Sequence, residues 1–192
     1  MKFGSSSDDA DYMNEKEHSL AVGMRKLWSD HVFYTREYII GAGLGTANAD
    51  AAAERLLKNQ EHIGEAVSQY YGKDAGNKLT GLLKQHIKIA VELVGAAKNG
   101  NQQKFQEEDK QWSDNAEEIA KFLSGANPNW PRRDVSDLLK QHLDLTKREA
   151  VAIIGKKWKD AVLAFDDIYT EILTLADALY NGIVKQFPDK FR

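Results

Sequence analysis

Three histidines stand at the same place of a threefold internal repeat. The sequence LLKQH ends at His86 and again at His142, 56 positions apart (142 − 86), and a related LWSDH ends at His31, 55 positions before His86 (86 − 31). Imidazole nitrogens bind zinc, copper and iron, and they exchange protons near neutral pH. These equivalent histidines are therefore the strongest candidates for chemistry in the chain.

A second segment follows each histidine after 28 or 29 residues, and it begins with Asn59, Asn115 or Glu171. The midpoint between His31 and Asn59 is position 45, within a glycine-rich stretch, and the other two midpoints also fall at turn-like residues. Residues equidistant from the turn of an antiparallel helix hairpin lie at the same height, here about 20 Å from the turn at 1.5 Å per residue. The predicted pairs are His31 with Asn59, His86 with Asn115 and His142 with Glu171.

The elements that must position these pairs are helices. Apolar residues recur every three to four positions over about 14–40, 50–71, 75–98, 102–123, 132–155 and 157–187. Prolines occur only at the expected boundaries (Pro128, Pro131 and Pro188), and no segment alternates like a strand. We therefore predict an all-α, up-and-down bundle of six helices with a ferritin-like or four-helix-bundle type of core.

The repeat also predicts how the domain is organised. Three αα-hairpins, over 14–72, 75–124 and 131–187, are expected to form one domain spanning 14–192, closed rather than open because only three units are present. Residues 1–13 are polar and acidic, and we expect them to be a disordered lead. The tail from Gln186 to Arg192 is expected to pack back on the bundle through Phe187 and Phe191, and a docking motif is the alternative.

The six paired residues lie on or near the apolar stripes, so they predict a buried polar layer. Because a buried polar group without a partner costs about 1–3 kcal/mol, something must satisfy this layer. In a structural reading, each histidine bonds its partner and a few waters. In a second reading, His31, His86, His142 and Glu171 bind iron, zinc or copper, with Asp30, Asp109 or Asp166 nearby. In a third reading, all six residues bind a small polar ligand.

The spacing does not match the known di-iron patterns. Glu-x-x-His occurs only at Glu15–His18, at the start of the first helix, and hemerythrin-type spacings are absent. This absence counts against the metal interpretation. From the polar layer, our first expectation is a non-enzymatic protein that binds a metal or small ligand. The alternatives are a structural or protein-interaction bundle and, third, a metal-dependent oxidoreductase.

Composition limits the other partners and the location. The net charge is −3, with Lys and Arg dispersed along the chain, which argues against nucleic acid. The absence of Cys excludes disulfides, thiolate catalysis, iron–sulfur clusters and Cys-based zinc sites. No apolar run reaches the roughly 20 residues of a membrane span. We expect a cytoplasmic protein, exported if a signal has been removed, and homo-oligomers stay an open alternative.

The chain also resembles a small family of uncharacterised bacterial helical-bundle proteins that is common in spore-forming bacteria. The resemblance rests on WSDH ending at His31, on NPNW beginning at Asn127, and most specifically on GIVKQFPDKF beginning at Gly182. It covers about 20–191. Some members carry a glycosyltransferase label, which this sequence does not support because it lacks a strand–helix alternation. A more distant resemblance to ferritin-like bundles implies metal binding.

Overall fold

Six helices make up almost all of the part of the chain that the computed structural model describes, residues 14–192. The predicted lead, residues 1–13, lies outside the described residues. The helices are α1 (Glu15–Leu44), α2 (Ala49–Tyr71), α3 (Lys73–Lys98), α4 (Gln102–Ala126), α5 (Arg132–Ile154) and α6 (Trp158–Gln186), followed by a 3₁₀ turn (Pro188–Phe191). Within residues 14–192 there is no strand, which confirms the all-α prediction.

The helices form a closed ring. Each packs against the next along the chain, and α6 packs back against α1. The odd-numbered helices α1, α3 and α5 also contact one another, so they meet inside the ring. These are the helices that carry the repeated histidines, and the fold therefore brings the three hairpins together at the histidine positions.

The turns use few residues and a small set of backbone conformations. Gly45 (φ 73°) ends α1, and Gly72 (φ 86°) alone separates α2 from α3. Both adopt the positive φ that glycine tolerates best. Helix α1 continues four residues beyond its predicted end, because only the last glycine of the Gly41–Gly45 stretch leaves the helical conformation.

Adjacent hairpins approach at backbone distance where helices α2 and α3 cross. A Cβ on Gly64 would lie 2.6 Å from the Gly76 carbonyl oxygen, and a Cβ on Gly76 would lie 2.6 Å from the Ser68 Cβ. Such distances are shorter than van der Waals contact. The two glycines therefore let the first and second hairpins pack more closely than any larger side chain would allow.

Aromatic residues cover the bundle end that holds the C-terminus. Phe191 is buried and stacks on Tyr70, with ring centroids 5.9 Å apart. The Tyr71 ring packs against Trp130 at 5.5 Å, and its hydroxyl donates to Gln186 Oε1 over 2.8 Å. The tail thus folds back as predicted. Across residues 14–192, no helix combines the length and the apolar character that a membrane span requires.

Candidate functional site

The three repeated histidines come together inside the ring. Each is only 3% exposed. The ring centroids of His31 and His142 are 5.6 Å apart, and those of His86 and His142 are 6.4 Å apart. All three line one cavity of about 20 Å³. The rest of its lining consists of Thr35, Tyr38, Trp112, Thr146, Lys147 and aliphatic residues. A cavity of this size holds about one water-sized group.

Two of the predicted pairs are confirmed as hydrogen bonds. His86 Nδ1 lies 2.9 Å from Asn115 Oδ1, and His142 Nδ1 lies 3.0 Å from Glu171 Oε2. The Asn115 amide is oriented by its Nδ2, which donates to the Leu82 carbonyl over 3.2 Å. Both Nδ1 atoms therefore face acceptors and carry a hydrogen, and the neutral tautomer with this bond has its lone pair on Nε2.

The first repeat departs from the prediction. The partner of His31 is Gln60, whose Nε2 lies 3.2 Å from His31 Nδ1, and not Asn59. Asn59 is buried but donates to the Leu27 carbonyl over 3.0 Å. In all three repeats the partner stands 29 positions after the histidine. The prediction chose Asn59 because Asn115 is also an asparagine. The next residue along a helix is turned by about 100°, so Asn59 and Gln60 point in different directions.

Gln60 also gives His31 the opposite tautomer. Its Nε2 donates to the Leu56 carbonyl over 2.8 Å, which orients the amide with nitrogen toward the imidazole. His31 Nδ1 therefore accepts, and its hydrogen resides on Nε2. The three histidines therefore occupy equivalent positions in the repeat but do not share one tautomer. In the assigned neutral tautomers, His86 and His142 have the lone pair on Nε2, whereas His31 has a hydrogen there.

Burial keeps two of these rings neutral. Desolvation, reinforced by the neighbouring His142 and His86, lowers the pKa of His31 well below its ordinary value. Desolvation, reinforced by His142, likewise lowers the pKa of His86 to about 3, although the bond to Asn115 opposes the shift. Neutral imidazole is the form that binds metal ions. Burial therefore favours metal coordination by these two rings over a role as positively charged imidazolium groups.

Several polar atoms around the layer lack a hydrogen-bond partner among residues 14–192. They include Gln60 Oε1 and Glu171 Oε1, on the side chains that hold His31 and His142. They also include the indole Nε1 atoms of Trp28 and Trp112, whose rings lie 5.6 Å from His31 and 5.0 Å from His86. Because unsatisfied buried polar atoms are costly, their concentration here marks the layer as a place for a further polar group.

The rings as placed are slightly too far apart to share an ion. In residues 14–192, no three or more His, Cys, Asp or Glu side chains are arranged to hold a metal ion. Imidazoles around one ion, with nitrogens at about 2.0–2.1 Å, would have ring centroids roughly 5–5.5 Å apart. The separation of His31 and His142 is close to that range, whereas His86 would have to approach His142 by about 1 Å.

The acidic residues considered beside the layer lie elsewhere. Asp30 forms ion pairs with Lys26 and Arg55, Asp109 pairs with Lys147, and Asp166 is exposed. Of the predicted acidic ligands, only Glu171 belongs to the layer.

A buried ion pair near the layer was not predicted. Glu149 is 1% exposed and contacts the guanidinium of Arg36, which also lies 4.6 Å above the Phe165 ring. Burial raises the pKa of Glu149 to about 7, although Arg36 opposes the shift. Glu149 stands seven positions after His142 (149 − 142), hence on the same helix face. That spacing was the available signal.

Comparison with known proteins returned no similarity: no protein-family profile, curated protein or solved structure matches the chain. The resemblance to the bacterial family and to ferritin-like bundles stays an expectation, and inference about function rests on the geometry of the histidine layer.

Proposed function

We propose that this bundle is a non-enzymatic metal-binding protein that takes one divalent transition-metal ion into the histidine layer. The observation that carries the proposal is that His31, His86 and His142, from three different hairpins, line the same cavity of about 20 Å³. The low pKa of His31 and of His86 supports it, because no proton has to be removed from these rings at neutral pH. The size of the cavity argues against any ligand of more than a few atoms.

The bonds made through Nδ1 also support this proposal. Histidines that bind metals usually donate their other ring N–H to a carboxylate or carbonyl oxygen, which fixes the tautomer and the ring direction. Asn115 and Glu171 provide such acceptors for His86 and His142. We therefore assign His86 and His142 as the first two ligands, each through Nε2.

His31 is the third ligand, after a change of tautomer. Its hydrogen has to move from Nε2 to Nδ1, and the Gln60 amide then has to turn so that Oε1 accepts it. Gln60 Oε1 has no hydrogen-bond partner among the described residues, so this rotation gives a buried acceptor a donor. Against this gain, the bonds that Gln60 Nε2 donates to the Leu56 carbonyl and to Asn59 Oδ1 are lost.

The donor set favours particular ions. Three imidazole nitrogens suit zinc, copper, nickel and iron, whereas calcium and magnesium prefer oxygen ligands. For a site of this kind, affinity among the divalent ions follows the order in which copper binds most tightly. We expect zinc and copper to bind in preference to manganese.

The test is elemental analysis and calorimetric titration of protein produced without a His-tag. We expect one Zn²⁺ or Cu²⁺ per chain, with binding lost in His86→Ala and in His142→Ala. His18→Ala and His62→Ala are matched controls, because both histidines lie outside the layer. Folded protein that takes up no metal above background, or that binds equally well without His86, would contradict the proposal.

Gln60→Glu tests the tautomer step separately. A carboxylate at this position accepts a hydrogen from His31 Nδ1 and places the lone pair on Nε2, so we expect tighter Zn²⁺ binding. Gln60→Leu removes both the donor and the acceptor, and we expect weaker binding, by about 10–100-fold, as for other groups that orient metal ligands. Equal affinity in the two variants would exclude His31 as a ligand.

A structural layer is the second candidate, and the one-to-one hydrogen bonds of the three histidines favour it. In this case the layer fixes the register of the three hairpins. The wild-type protein then binds no metal, and His142→Ala lowers the free energy of unfolding by about 1–3 kcal/mol because Glu171 loses its partner.

A further inference from the structure

Exposed apolar side chains concentrate on the first half of α6. Trp158 is 51% exposed, Val162 is 52%, Leu163 is 61% and Tyr169 is 37%. Phe33, on the neighbouring helix α1, is 51% exposed. Single exposed apolar residues are ordinary on protein surfaces, but a contiguous group marks an interaction surface.

Three of these residues, with the partly buried Phe165 among them, form one line along the helix. Trp158, Val162, Phe165 and Tyr169 follow each other at intervals of four, three and four residues, which places them on one face. We call these four residues the α6 stripe. The Phe33 ring packs against its far end, with centroids 5.7 Å from Phe165 and 6.1 Å from Tyr169. Helices α1 and α6 therefore share one apolar surface.

The stripe has the pattern of an antiparallel two-helix contact. Its spacing is that of the a and d positions of a coiled coil. Its residues are also symmetric in sequence about a point between Val162 and Phe165, since 158 + 169 equals 162 + 165. About a twofold axis at that point, Trp158 faces Tyr169 of a second copy, and Val162 faces its Phe165.

Charges beside the stripe identify the second copy as the occupant. Lys159 and Asp166 are exposed and lie seven residues apart, on the same flank of the stripe. Neither takes part in an ion pair within residues 14–192, whereas the nearby Asp167 and Asp177 pair with Arg148 and Arg25. In the antiparallel arrangement, Lys159 of each copy lies beside Asp166 of the other, so the twofold axis creates two complementary contacts.

We propose that the α6 stripe, with Phe33, is the interface of a symmetric homodimer. The α1 and α6 helices of two copies would form an intermolecular four-helix arrangement with the stripes at its centre. This proposal does not depend on metal binding, because the stripe lies on the outer surface and the histidine layer lies inside the ring.

Sedimentation of the full chain at high micromolar concentration tests the proposal. We expect a dimer for the wild-type protein and a folded monomer for Val162→Asp. Val151→Asp is the matched control, because Val151 is equally exposed (53%) but lies on α5 and outside the stripe. It should remain dimeric. A monomeric wild-type protein, or a dimer that survives Val162→Asp, overturns the proposal.

Charge reversal tests the orientation of the two copies. Lys159→Glu places two acidic pairs at the interface and Asp166→Lys places two basic pairs, so each variant alone should be monomeric. An equimolar mixture should form heterodimers, because each Glu at 159 then meets a Lys at 166 and the native pair forms once. The double variant should dimerise by itself. Dimers of both single variants, or no dimer in the mixture, exclude the twofold antiparallel arrangement.

Discussion

The imidazole rings of His31 and His142 lie 5.6 Å apart although the two residues belong to the first and third hairpins. The contact is made where helices α1 and α5 meet inside the ring. Each histidine is fixed within its own hairpin by a partner 29 positions later. The histidines therefore make two kinds of contact. Their hydrogen bonds join the two helices of one hairpin, and their ring contacts join different hairpins at the centre of the bundle.

The buried histidines predict that stability falls on mild acidification. His31 and His86 have folded-state pKa values below the ordinary value of 6.5, so the unfolded chain binds more protons at lower pH. Their stabilising effect is complete above pH 6.5 and is lost as the pH falls through the lowered folded-state pKa of each ring, which is about 3 for His86. Each contributes a slope of about 1.4 kcal/mol per pH unit within its window.

Urea unfolding between pH 4.5 and 8 measures this slope. In His86→Gln the slope below pH 6.5 should decrease by about one proton, because the variant has no imidazole to protonate at that position. His62→Gln is the control for the loss of a histidine outside the layer. An unchanged slope in His86→Gln would show that His86 is not held neutral by burial.

The sequence predicts the fold well because the repeat encodes it locally. Helical periodicity and glycine turns place the six helices, as found. The equal distance of two residues from a hairpin turn correctly pairs His86 with Asn115 and His142 with Glu171. The same criterion fails at Gln60 because one residue along a helix changes which face a side chain occupies.

Contacts between hairpins are not encoded in that local way. Arg36 and Glu149 lie on different hairpins, and only the closure of the ring brings them together. The spacing of Glu149 after His142 indicates a shared helix face, but no periodicity identifies which basic residue of another hairpin will approach it.

Gly182→Ala should destabilise the bundle strongly. A Cβ at this position would lie 2.5 Å from Trp130 Cδ1, so the indole would have to move. The buried ring would then lose its packing and the hydrogen bond from its Nε1 to the Ala178 carbonyl, 3.2 Å long. We expect a loss of about 2–4 kcal/mol in the free energy of unfolding, comparable to other overpacked or emptied core sites.

Gly81→Ala is the matched control for this substitution. Gly81 lies within α3, and a Cβ there would meet no atom within 4 Å. Alanine in an exposed helix interior is favoured over glycine, so we expect a gain of about 0.5–1 kcal/mol in the unfolding free energy. If both variants lose stability equally, the contact with Trp130 is not the cause.

The Arg36–Glu149 pair predicts a second pH effect with the opposite sign. Because burial raises the pKa of Glu149 to about 7 in the folded protein, its protonated form stabilises the fold below about pH 4.5. That contribution is lost as the pH rises through 7. Arg36→Met removes the cation that opposes this pKa shift. The loss in unfolding free energy of this variant, relative to the wild-type protein, should therefore grow as the pH rises above 7. Glu149→Gln should remove this dependence.

Unfolding of the two variants at pH 6 and pH 9 separates the partners. Arg36→Met should be more destabilised at pH 9 than at pH 6, by roughly 1 kcal/mol or more, since the buried carboxyl group then has to ionise or stay protonated at a cost. The double variant Arg36→Met with Glu149→Gln should lose that difference. A pH-independent cost in Arg36→Met would mean that Glu149 is stabilised by other groups.

Glu171→Gln tests whether the third repeat needs a charge. Glu171 Oε2 accepts from His142 Nδ1, whereas Oε1 has no partner within residues 14–192. An amide keeps the acceptor and removes a buried, half-satisfied carboxylate, so the unfolding free energy should change by less than about 1 kcal/mol or increase. Glu171→Leu, which leaves the His142 N–H without an acceptor, should cost about 1–3 kcal/mol.

For Zn²⁺ the order differs: both variants should bind more weakly, by about 10–100-fold, because a carboxylate makes the imidazole more basic than an amide does. If only Glu171→Leu loses stability while both variants lose Zn²⁺ affinity, the structural role of Glu171 is separated from its role at a metal ion.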